Sequence, residues 1–583
     1  MDFNHYYSSK IQDSLRKVIQ MRRFLFSFVL ICLVTPLLAF ANDLSKEELR
    51  EDFDFFWRSY EEAYVFWELK GKDYGVDWQQ MRQEYTPTLE QCQTKKDLLR
   101  LITEMQTRLH DGHCGNEGMT SIGPLALVRG LAFTPTAGRE ICVKVVMPNS
   151  PPALEGVERG DKVLIWDGKP IASLARRARS LIGASSEGQF WSIFAQLLNV
   201  HHPYLGEADE KCVCSFEKPD GTVIEAEFDW NVIDPSGGKA GPSISEIIEL
   251  DAEGPLPMKA MIFEGLNVAY IKVESFMKQE FPKEQLDRVF SAIKDTKALI
   301  LDLRNNGGGV GPWGVLLANY MIEEGADEAY MDRKYSRTFF RSILANAPAA
   351  QVEAIFKNPS YMKMILGKLG IEMTVDQVRE HFVDGEYVPF YHRTPLAEMV
   401  PQDLSPGVEA YDKEIYALCN GGCYSTTDIC LKLLKEFNRA KLIGSPNGAG
   451  SGSPIPMLLP NCKVNVMVPH ARAFPPSGEM IEGRPLDPDV IVETTQEDLV
   501  TGRDPHLITA LRLIQEESVL ENDIIRKGSS RFRARLAPAF LDAKTLMDTR
   551  GSKIPEDLAA LIPAAVREAR LKTLPKIDLE DLN

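Results

Sequence analysis

The sequence predicts a multidomain α/β protein in which a helical region and a small β-rich region precede a larger α/β core. Three observations predict this order. Apolar residues recur at helical spacing between residues 46 and 119, short β-branched segments and turns follow to about residue 230, and strand and helix patterns alternate from about residue 256 to 514. With 583 residues, 44% of them hydrophobic, the chain is long enough for two to four domains.

Composition and charge exclude several classes of protein. Hydrophobic and charged residues make up 44% and 26% of the chain, which is typical of a globular protein and not of a disordered one. The formal net charge of −17 gives no electrostatic reason to bind nucleic acid. The 10 cysteines show no metal-binding spacing, so we expect at most one or two disulfides and no structural zinc.

The N-terminus has the pattern of a secretory signal peptide. Basic residues at 22 and 23 precede an apolar run over residues 24–38 and a small-x-small site at residues 39–41. We expect cleavage after Ala41 and a periplasmic or secreted mature chain, with residues 1–20 an extra N-terminal extension unless translation begins at Met21. An uncleaved membrane anchor is the alternative. No other segment of the sequence approaches the roughly 20 apolar residues of a membrane-spanning helix, so we expect no stable span after cleavage.

The sequence divides into further regions after the signal peptide. We expect a helical region over residues 42–122, a β-rich domain over residues 123–235, an α/β core over residues 256–516 and a C-terminal extension over residues 517–583. Residues 323–413 interrupt the core and are rich in aromatic residues. A span of this length within a core predicts a subdomain or a lid rather than a loop.

The β-rich domain resembles a PDZ domain of the kind found in bacterial proteases. The resemblance rests on a β-branched strand at residues 141–146, a turn at residues 149–153 and a Gly-Asp turn at residues 160–161 that precedes an apolar strand and an Asp-Gly hairpin signal. Any other small β domain is the alternative. The resemblance implies a groove that binds protein C-termini by strand addition and holds the terminal carboxylate with backbone N–H groups. The candidate substrate-binding residues are Gly130, Leu131, Ala132 and Phe133.

Two loops of the α/β core carry candidate catalytic groups. A buried strand at residues 298–303 leads into the Gly-rich segment 305–309, and a second strand at residues 415–419 precedes a helix that begins near Thr426. Ser425 lies at this strand-to-helix junction, where unpaired N–H groups favour developing negative charge. It is therefore a candidate nucleophile, although a serine that only caps the helix would have the same pattern.

Four segments in order resemble the S41 peptidases, which include the C-terminal processing and tricorn-type serine proteases. The segments are residues 298–309, 420–428, 478–490 and 502–507. The resemblance implies a ClpP/crotonase-like α/β protease core without a cofactor. It also implies an oxyanion hole formed by backbone N–H groups of Gly308, Gly309 and Thr426. Phosphate binding by the Gly-rich loop is the alternative, but neither a GxxxxGK[ST] nor a GxGxxG pattern is present.

The chain departs from part of the family pattern at the catalytic base. Residues 420–428 stand in place of the family's Asn-x-Gly-Ser-Ala-Ser-Ala-Ser-Glu segment, and Gly450 stands where the Ser/Lys branch has its lysine. The tricorn-like branch uses a His and a Glu, and their counterparts here are His113 and Glu482. This resemblance implies a triad of Ser425, His113 and Glu482 without a metal, but Gly112 stands where that branch has a Ser.

Other assignments of these residues stay open. His113 could instead be an ordinary turn residue, in which case the candidate bases are His110, His470 and His506. Glu482 could instead form a surface ion pair with Arg472 or Arg484. The sequence therefore predicts a secreted or periplasmic serine endopeptidase whose substrates are proteins or peptides with apolar C-termini. A proteolytically inactive peptide- or ligand-binding protein on the same fold is the alternative, and an oligomer is possible under either reading.

Overall fold

The structure is a computed structural model that describes residues 44–117, 125–198, 200–201, 211–233, 256–263, 266–344, 354–382, 389–525 and 571–573. The predicted signal peptide and most of the predicted C-terminal extension lie outside these residues. The N-terminal region contains four helices and a short strand: α1 (Lys46–Ala63), α2 (Trp67–Tyr74), α3 (Trp78–Gln91), α4 (Lys95–Thr107) and β1 (Gly115–Asn116). Ser45 and Thr94 begin α1 and α4 with reciprocal capping boxes, which satisfy N–H groups at each helix start.

The β-rich region forms two antiparallel sheets with their own hydrophobic core. Its elements are β2 (Leu125–Leu127), β3 (Leu131–Thr136), β4 (Glu140–Val146), α5 (Pro151–Leu154), β5 (Lys162–Trp166), β6 (Lys169–Pro170), α6 (Ile171–Ala178), α7 (Glu187–Leu197), β7 (Val200–His201), β8 (Lys211–Glu217), β9 (Val223–Asp229) and β10 (Asn231–Ile233). The larger sheet has the order β3-β4-β5-β8-β9, with β6 beside β5, so β3 is its terminal strand. Helix α7 packs against β3.

The first half of the α/β core follows this region. Its elements are β11 (Met258–Phe263), β12 (Val268–Val273), α8 (Lys283–Ile293), β13 (Ala298–Asp302) and α9 (Gly311–Asn319). All five residues of β13 are buried, as expected for a strand that is covered on both faces. Apolar residues of α8 at i, i+3, i+4 and i+7 are buried against the sheet, as their spacing predicts.

The predicted insertion packs with the N-terminal helices. It contains β14 (Tyr330–Tyr335), α10 (Arg337–Ile343), α11 (Pro359–Lys368), α12 (Val375–Phe382) and β15 (Phe390–Pro395). Its aromatic residues Tyr335, Phe339 and Phe340 share one buried cluster with Phe53 and Phe56 of α1. The insertion and the N-terminal region therefore have a common core.

The second half of the core completes the sheets. Its elements are β16 (Glu414–Cys419), α13 (Thr426–Glu436), β17 (Lys441–Gly444), β18 (Gly452–Leu458), β19 (Asn465–Phe474), β20 (Val490–Ile491), α14 (Gln496–Thr501), α15 (Pro505–Ile525) and β21 (Leu571–Thr573). The central sheet has seven strands in the order β20-β17-β16-β13-β12-β11-β21, and the pairs from β12 to β20 are parallel. A second sheet, β1-β19-β14-β15 with β18 beside β19, joins the N-terminal region and the insertion to the core.

This topology confirms the predicted α/β fold and determines where the candidate loops meet. Strands β13 and β16 are parallel neighbours, with Asp302 opposite Leu418. Their carboxyl ends lie at the same edge of the sheet, so the loops that follow them are adjacent. The nine cysteines after residue 41 are buried and unpaired. Within the described part of the chain, no helix has both the length and the apolar character needed to span a membrane.

Candidate active site

Ser425 lies in a strained turn between β16 and α13. Its backbone has φ 60° and ψ −118°, which is uncommon for a residue other than glycine and differs from the extended conformation of an ordinary N-cap. The Ser425 N–H donates to Asp428 Oδ2 at 3.0 Å, which holds the turn against the first turn of α13. The loops after β13 and β16 are joined by hydrogen bonds of 3.0 Å between Asn305 and Asn420.

His113 lies against this serine although 312 residues separate them in the sequence. Its Nε2 atom is 3.1 Å from Ser425 Oγ, and its backbone N–H donates to Asp111 Oδ1 at 2.8 Å. Burial lowers the pKa of His113 to about 4, with Glu482 opposing and Lys70 adding to that effect. The imidazole is therefore neutral at neutral pH, as a general base must be.

Glu482 lies in a buried charge cluster beside His113. The cluster contains Lys70 of α2, Asp111 and Glu482, and all three side chains are fully buried. Lys70 Nζ donates to Glu482 Oε1 at 2.9 Å, and the Ser451 N–H donates to Glu482 Oε2 at 3.1 Å. Burial raises the pKa values of Glu482 and Asp111, and Lys70 only partly offsets this. Glu482 therefore pairs with Lys70, and not with Arg472 or Arg484.

The three residues of the predicted triad are close together, but the contact of Glu482 with His113 is indirect. The ligand atoms of Asp111, His113 and Glu482 lie within 4.8 Å of one another. The hydrogen-bond partner of His113 Nδ1 is the Tyr424 hydroxyl, at 2.9 Å. Sequence analysis did not identify this tyrosine, although its position immediately before the candidate nucleophile was a usable signal. Lys70 had no such signal, because it belongs to no motif and lies in a helix far upstream.

The same cluster is close enough to be considered as a cation site. The carboxylate oxygens that would bind a cation already accept hydrogen bonds. Lys70 Nζ donates to Glu482 Oε1, and the Tyr64 hydroxyl donates to Asp111 Oδ2 at 3.0 Å. The other Asp111 oxygen accepts the His113 N–H. A buried lysine supplies the positive charge that a metal would otherwise supply, so we assign no metal to these residues.

Backbone N–H groups beside Ser425 form a candidate oxyanion hole. Gly308 lies directly against Ser425, since a Cβ at Gly308 would be 2.7 Å from the Ser425 Cβ. The Gly308 N–H donates to Asn306 Oδ1 at 2.9 Å. It is therefore not available for the oxyanion hole, contrary to the sequence prediction. The N–H groups of Gly309 and Thr426 have no acceptor among the residues that the structure describes. The Thr426 hydroxyl donates to the Gly309 carbonyl at 2.8 Å and holds these two residues together.

The alternative bases lie in other environments. His110 stacks on Tyr74 with ring centroids 4.1 Å apart. His470 stacks on Phe339 at 5.0 Å, and its Nδ1 atom lies 2.9 Å from the Ser453 carbonyl oxygen. His506 is buried near Asp504, with Nδ1 and Oδ1 3.8 Å apart. Of the nine histidines, His113 is the one whose ring contacts Ser425 within the described residues.

The predicted substrate-binding residues lie at the start of the terminal strand β3. Gly130 has φ 87° in the turn before β3, and a Cβ there would be 2.5 Å from the Ser150 Cβ. Leu131, Ala132 and Phe133 are all buried, and the side chains of Leu131 and Phe133 belong to the core of the β-rich region. Their side chains therefore stabilise the region, and the backbone of β3 is the part of this segment at the sheet edge.

Comparisons with known proteins agree with this architecture. The model of the tricorn protease C1 domain matches residues 45–107, and the model of peptidase family S41 matches residues 267–492. No curated protein sequence matches the chain. Neither family model extends over the β-rich region, so its PDZ resemblance stays a prediction.

The structure of mature CPAF shares the fold of this chain at low sequence identity. Mature CPAF, also solved in a complex with lactacystin, has a TM-score of 0.57 and 16% identity, over 83% of this chain and 99% of CPAF. The photosystem II D1 C-terminal processing protease has a TM-score of 0.37 and 16% identity, over 77% of this chain and 94% of that protease. Tricorn protease has a TM-score of 0.36 and 17% identity, over 81% of this chain and 37% of tricorn. The S41 resemblance found in the sequence is confirmed over the matched residues: residues 267–492 match the model of peptidase family S41, and residues 45–107 match that of the tricorn protease C1 domain.

Proposed function

We propose that the chain is an exported serine-type endopeptidase in which Ser425 is the nucleophile and His113 is the general base. The observation that carries this proposal is the 3.1 Å separation of His113 Nε2 and Ser425 Oγ at the N-terminus of α13. A serine hydroxyl is a weak nucleophile unless an adjacent base takes its proton. A neutral imidazole at this distance supplies that base without the lysine of the Ser/Lys branch.

Acylation follows from this arrangement. Ser425 Oγ attacks the carbonyl carbon of the substrate peptide while its proton moves to His113 Nε2. The Gly309 and Thr426 N–H groups donate to the oxygen on which negative charge develops. The Glu482 and Asp111 carboxylates stabilise the imidazolium. His113 then gives the proton to the leaving amine, and the C–N bond breaks to leave an ester on Ser425.

Deacylation uses the same groups in reverse order. Water attacks the ester carbonyl while His113 Nε2 takes its proton, and the oxyanion is again held by the two N–H groups. Collapse of this second tetrahedral intermediate breaks the bond to Ser425 Oγ, which regains its proton from His113. The carboxylic acid product leaves, and the enzyme returns to its starting protonation state.

We further propose that the β-rich region selects substrates by their C-termini. Strand β3 is the terminal strand of its sheet, and strand addition takes place at a sheet edge, which supports this proposal. Two peptides with the same cleavable sequence and the same apolar tail, one ending in a carboxylate and one in an amide, test this. We expect a lower KM for the carboxylate. Equal KM values would remove C-terminal recognition and leave the serine chemistry unaffected.

Export is the remaining part of the proposal and rests on residues 21–41. Expression of the full chain with its native N-terminus, followed by N-terminal sequencing of the mature protein, tests it. A mature chain that begins at Asn42 supports export and cleavage. A chain that keeps residues 24–38 would instead support the membrane anchor.

The catalytic proposal is tested with the mature chain and an unfolded protein substrate that bears an apolar C-terminus. We expect cleavage by the parent, and loss of about 10⁴-fold or more in kcat for Ser425→Ala and His113→Ala. Labelling by a fluorophosphonate reports nucleophilicity independently of substrate choice. Ser477→Ala is the matched control, because the exposed Ser477 hydroxyl donates to Glu436 and accepts the Glu479 N–H on the surface.

Each outcome selects one reading. Loss with both variants, and activity in the control, supports the Ser/His mechanism. Loss with Ser425→Ala alone assigns the base to another group. Binding of the substrate without cleavage or labelling by the parent supports the inactive binding protein.

A further inference from the structure

The Nδ1 side of His113 faces a tyrosine hydroxyl. Tyr424 Oη lies 2.9 Å from His113 Nδ1, and the two rings stack with centroids 4.6 Å apart. The same hydroxyl lies 3.0 Å from Ser185 Oγ, which accepts the Gly112 N–H at 3.1 Å. A chain of hydrogen bonds therefore runs from Ser425 through His113 and Tyr424 to Ser185, just before α7.

Three glycines provide the space for the Tyr424 ring. A Cβ at Gly450 would lie 2.0 Å from the ring carbon Cε2, and a Cβ at Gly448 would lie 2.7 Å from Cδ2. A Cβ at Gly112 would lie 2.7 Å from the Tyr424 hydroxyl oxygen. These separations are far below van der Waals contact, so any larger residue would displace the ring.

Three positions at which the chain departs from the S41 pattern lie in or around the space that the Tyr424 ring fills. Tyr424 stands where the nucleophile segment of the family has Ala, Gly450 where the Ser/Lys branch has its lysine, and Gly112 where the tricorn-like branch has a Ser. A side chain at position 450 or 112 would begin in the volume that the Tyr424 ring and hydroxyl fill. The three departures are thus parts of one alternative arrangement.

We propose that Tyr424 is the positioning residue of His113, and that its hydroxyl holds the Nδ1–H so that the Nε2 lone pair faces Ser425. This inference rests on the proposed function, because it concerns the base of that reaction. Tyr424 takes the part that a direct carboxylate or serine contact has in other triads, and Glu482 acts on His113 through space.

The directions of the hydrogen bonds follow from the protonation of the phenol. Burial raises the pKa of Tyr424 well above its usual value, and the Glu482 and Asp111 carboxylates add to this, so the phenol keeps its proton. A neutral phenol has one O–H to donate and a lone pair to accept with. If it donates to Ser185, it accepts from His113 Nδ1, and nearby carboxylates favour an N–H on that side.

Tyr424→Phe tests this role with little change in packing, because the ring stays in its glycine-lined space. We expect kcat to fall about 10- to 1,000-fold while KM stays unchanged, since the hydroxyl orients the base and does not bind substrate. Fluorophosphonate labelling of Ser425 should slow by a similar factor, and the thermal unfolding midpoint should stay close to that of the parent. Tyr361→Phe is the matched control, because Tyr361 is exposed.

A spectroscopic measurement separates positioning from activity. In protein labelled with ¹⁵N-histidine, and with the His113 signals assigned by their loss in His113→Gln, we expect a protonated Nδ1 and an unprotonated Nε2. Tyr424→Phe should shift this population toward the other tautomer. An unchanged tautomer together with an unchanged kcat would overturn the proposal.

Gly450→Ala gives a second, independent test of the shared space. Its methyl group should displace the Tyr424 ring and thereby reduce kcat, since the three atoms nearest to that methyl group all belong to Tyr424. Tyr424→Ala combined with Gly450→Ala should lose no more than Tyr424→Ala alone, because the ring is already absent. Fully additive losses would contradict the shared space. If the parent neither cleaves nor labels, the proposed function fails, and the tautomer measurement still decides whether Tyr424 positions His113.

Discussion

Two buried charge clusters flank the candidate active site, and each contains two carboxylates. In the first cluster, the Arg304 guanidinium donates four hydrogen bonds of 2.7–2.9 Å, two to Asp302 and two to Asp504. Lys272 Nζ lies 3.5 Å from Asp302 Oδ2. Burial acts to raise the carboxyl pKa values, but the cations outweigh it, and the pKa values of Asp302 and Asp504 are lowered. This cluster has two cations for two carboxylates.

The second cluster contains Asp111, Glu482 and the single cation Lys70. Here burial outweighs the cation, and the pKa values of both carboxyl groups are raised. This excess of carboxyl groups over cations lies beside His113, and in the proposed mechanism it favours the imidazolium that forms when Ser425 loses its proton. The balanced cluster joins Arg304, after β13, to Asp504, before α15, whereas we infer that the unbalanced cluster also acts on His113.

The largest expected effect comes from breaking the balanced cluster. Arg304→Met leaves two buried carboxylates without their main partner, so we expect a loss of about 3–5 kcal/mol in unfolding free energy. Urea unfolding followed by tryptophan fluorescence measures this. A midpoint equal to that of the parent would show that the two aspartates do not depend on Arg304.

The next effect tests the unbalanced cluster through catalysis. Glu482→Gln removes a charge that raises the pKa of His113, so kcat should fall on the order of 10- to 100-fold. In the parent, kcat/KM should fall as the pH drops through about 4, because the imidazole then becomes protonated. In the variant this acidic limb should move to lower pH. A limb that stays in place or moves upward would contradict the through-space role.

A smaller effect, on the order of 1 kcal/mol, distinguishes the clusters by the pH dependence of stability. Because its pKa is lowered in the folded protein, Asp302 contributes stability at pH values above the ordinary pKa of an aspartate, and this stability is lost as the pH falls. The loss of stability in Asp302→Asn, relative to the parent, should therefore be largest near neutral pH. The raised pKa of Glu482 costs the parent stability as pH rises above about 4.5, so the loss of stability caused by Glu482→Gln should become smaller above that pH. Urea midpoints across pH 3–8 should therefore show opposite slopes for the two variants. Parallel slopes would remove the distinction.

The smallest effect sets the reference for both clusters. Arg484 forms an ion pair of 2.7 Å with Asp73, with the arginine side chain 47% exposed. Exposed pairs contribute little, so Arg484→Met should change the unfolding free energy by less than about 1 kcal/mol. A loss as large as that of Arg304→Met would mean that burial does not account for the difference between the clusters.

The parts of the molecule that could be predicted from the sequence are those with local patterns. The strand before Gly307 and the turn that contains Ser425 have short, continuous signatures, and His113 lies in an Asp-Gly-His turn. Lys70 could not be predicted, because it pairs with a residue 412 positions away and a lysine in a helix is normally exposed. The Tyr424 contact depends on which glycines surround the ring, and only the folded chain brings those glycines together.

The glycine-lined space around Tyr424 also limits how this site can change by mutation. Lysine at position 450 would meet the Tyr424 ring at its first side-chain atom, whose place is 2.0 Å from Cε2. Alanine at position 424 would leave an empty volume and His113 Nδ1 without its hydroxyl partner. We therefore expect each step toward the lysine arrangement to be unfavourable without the other. A change from the tyrosine-type to the lysine-type site is thus expected to need both substitutions together.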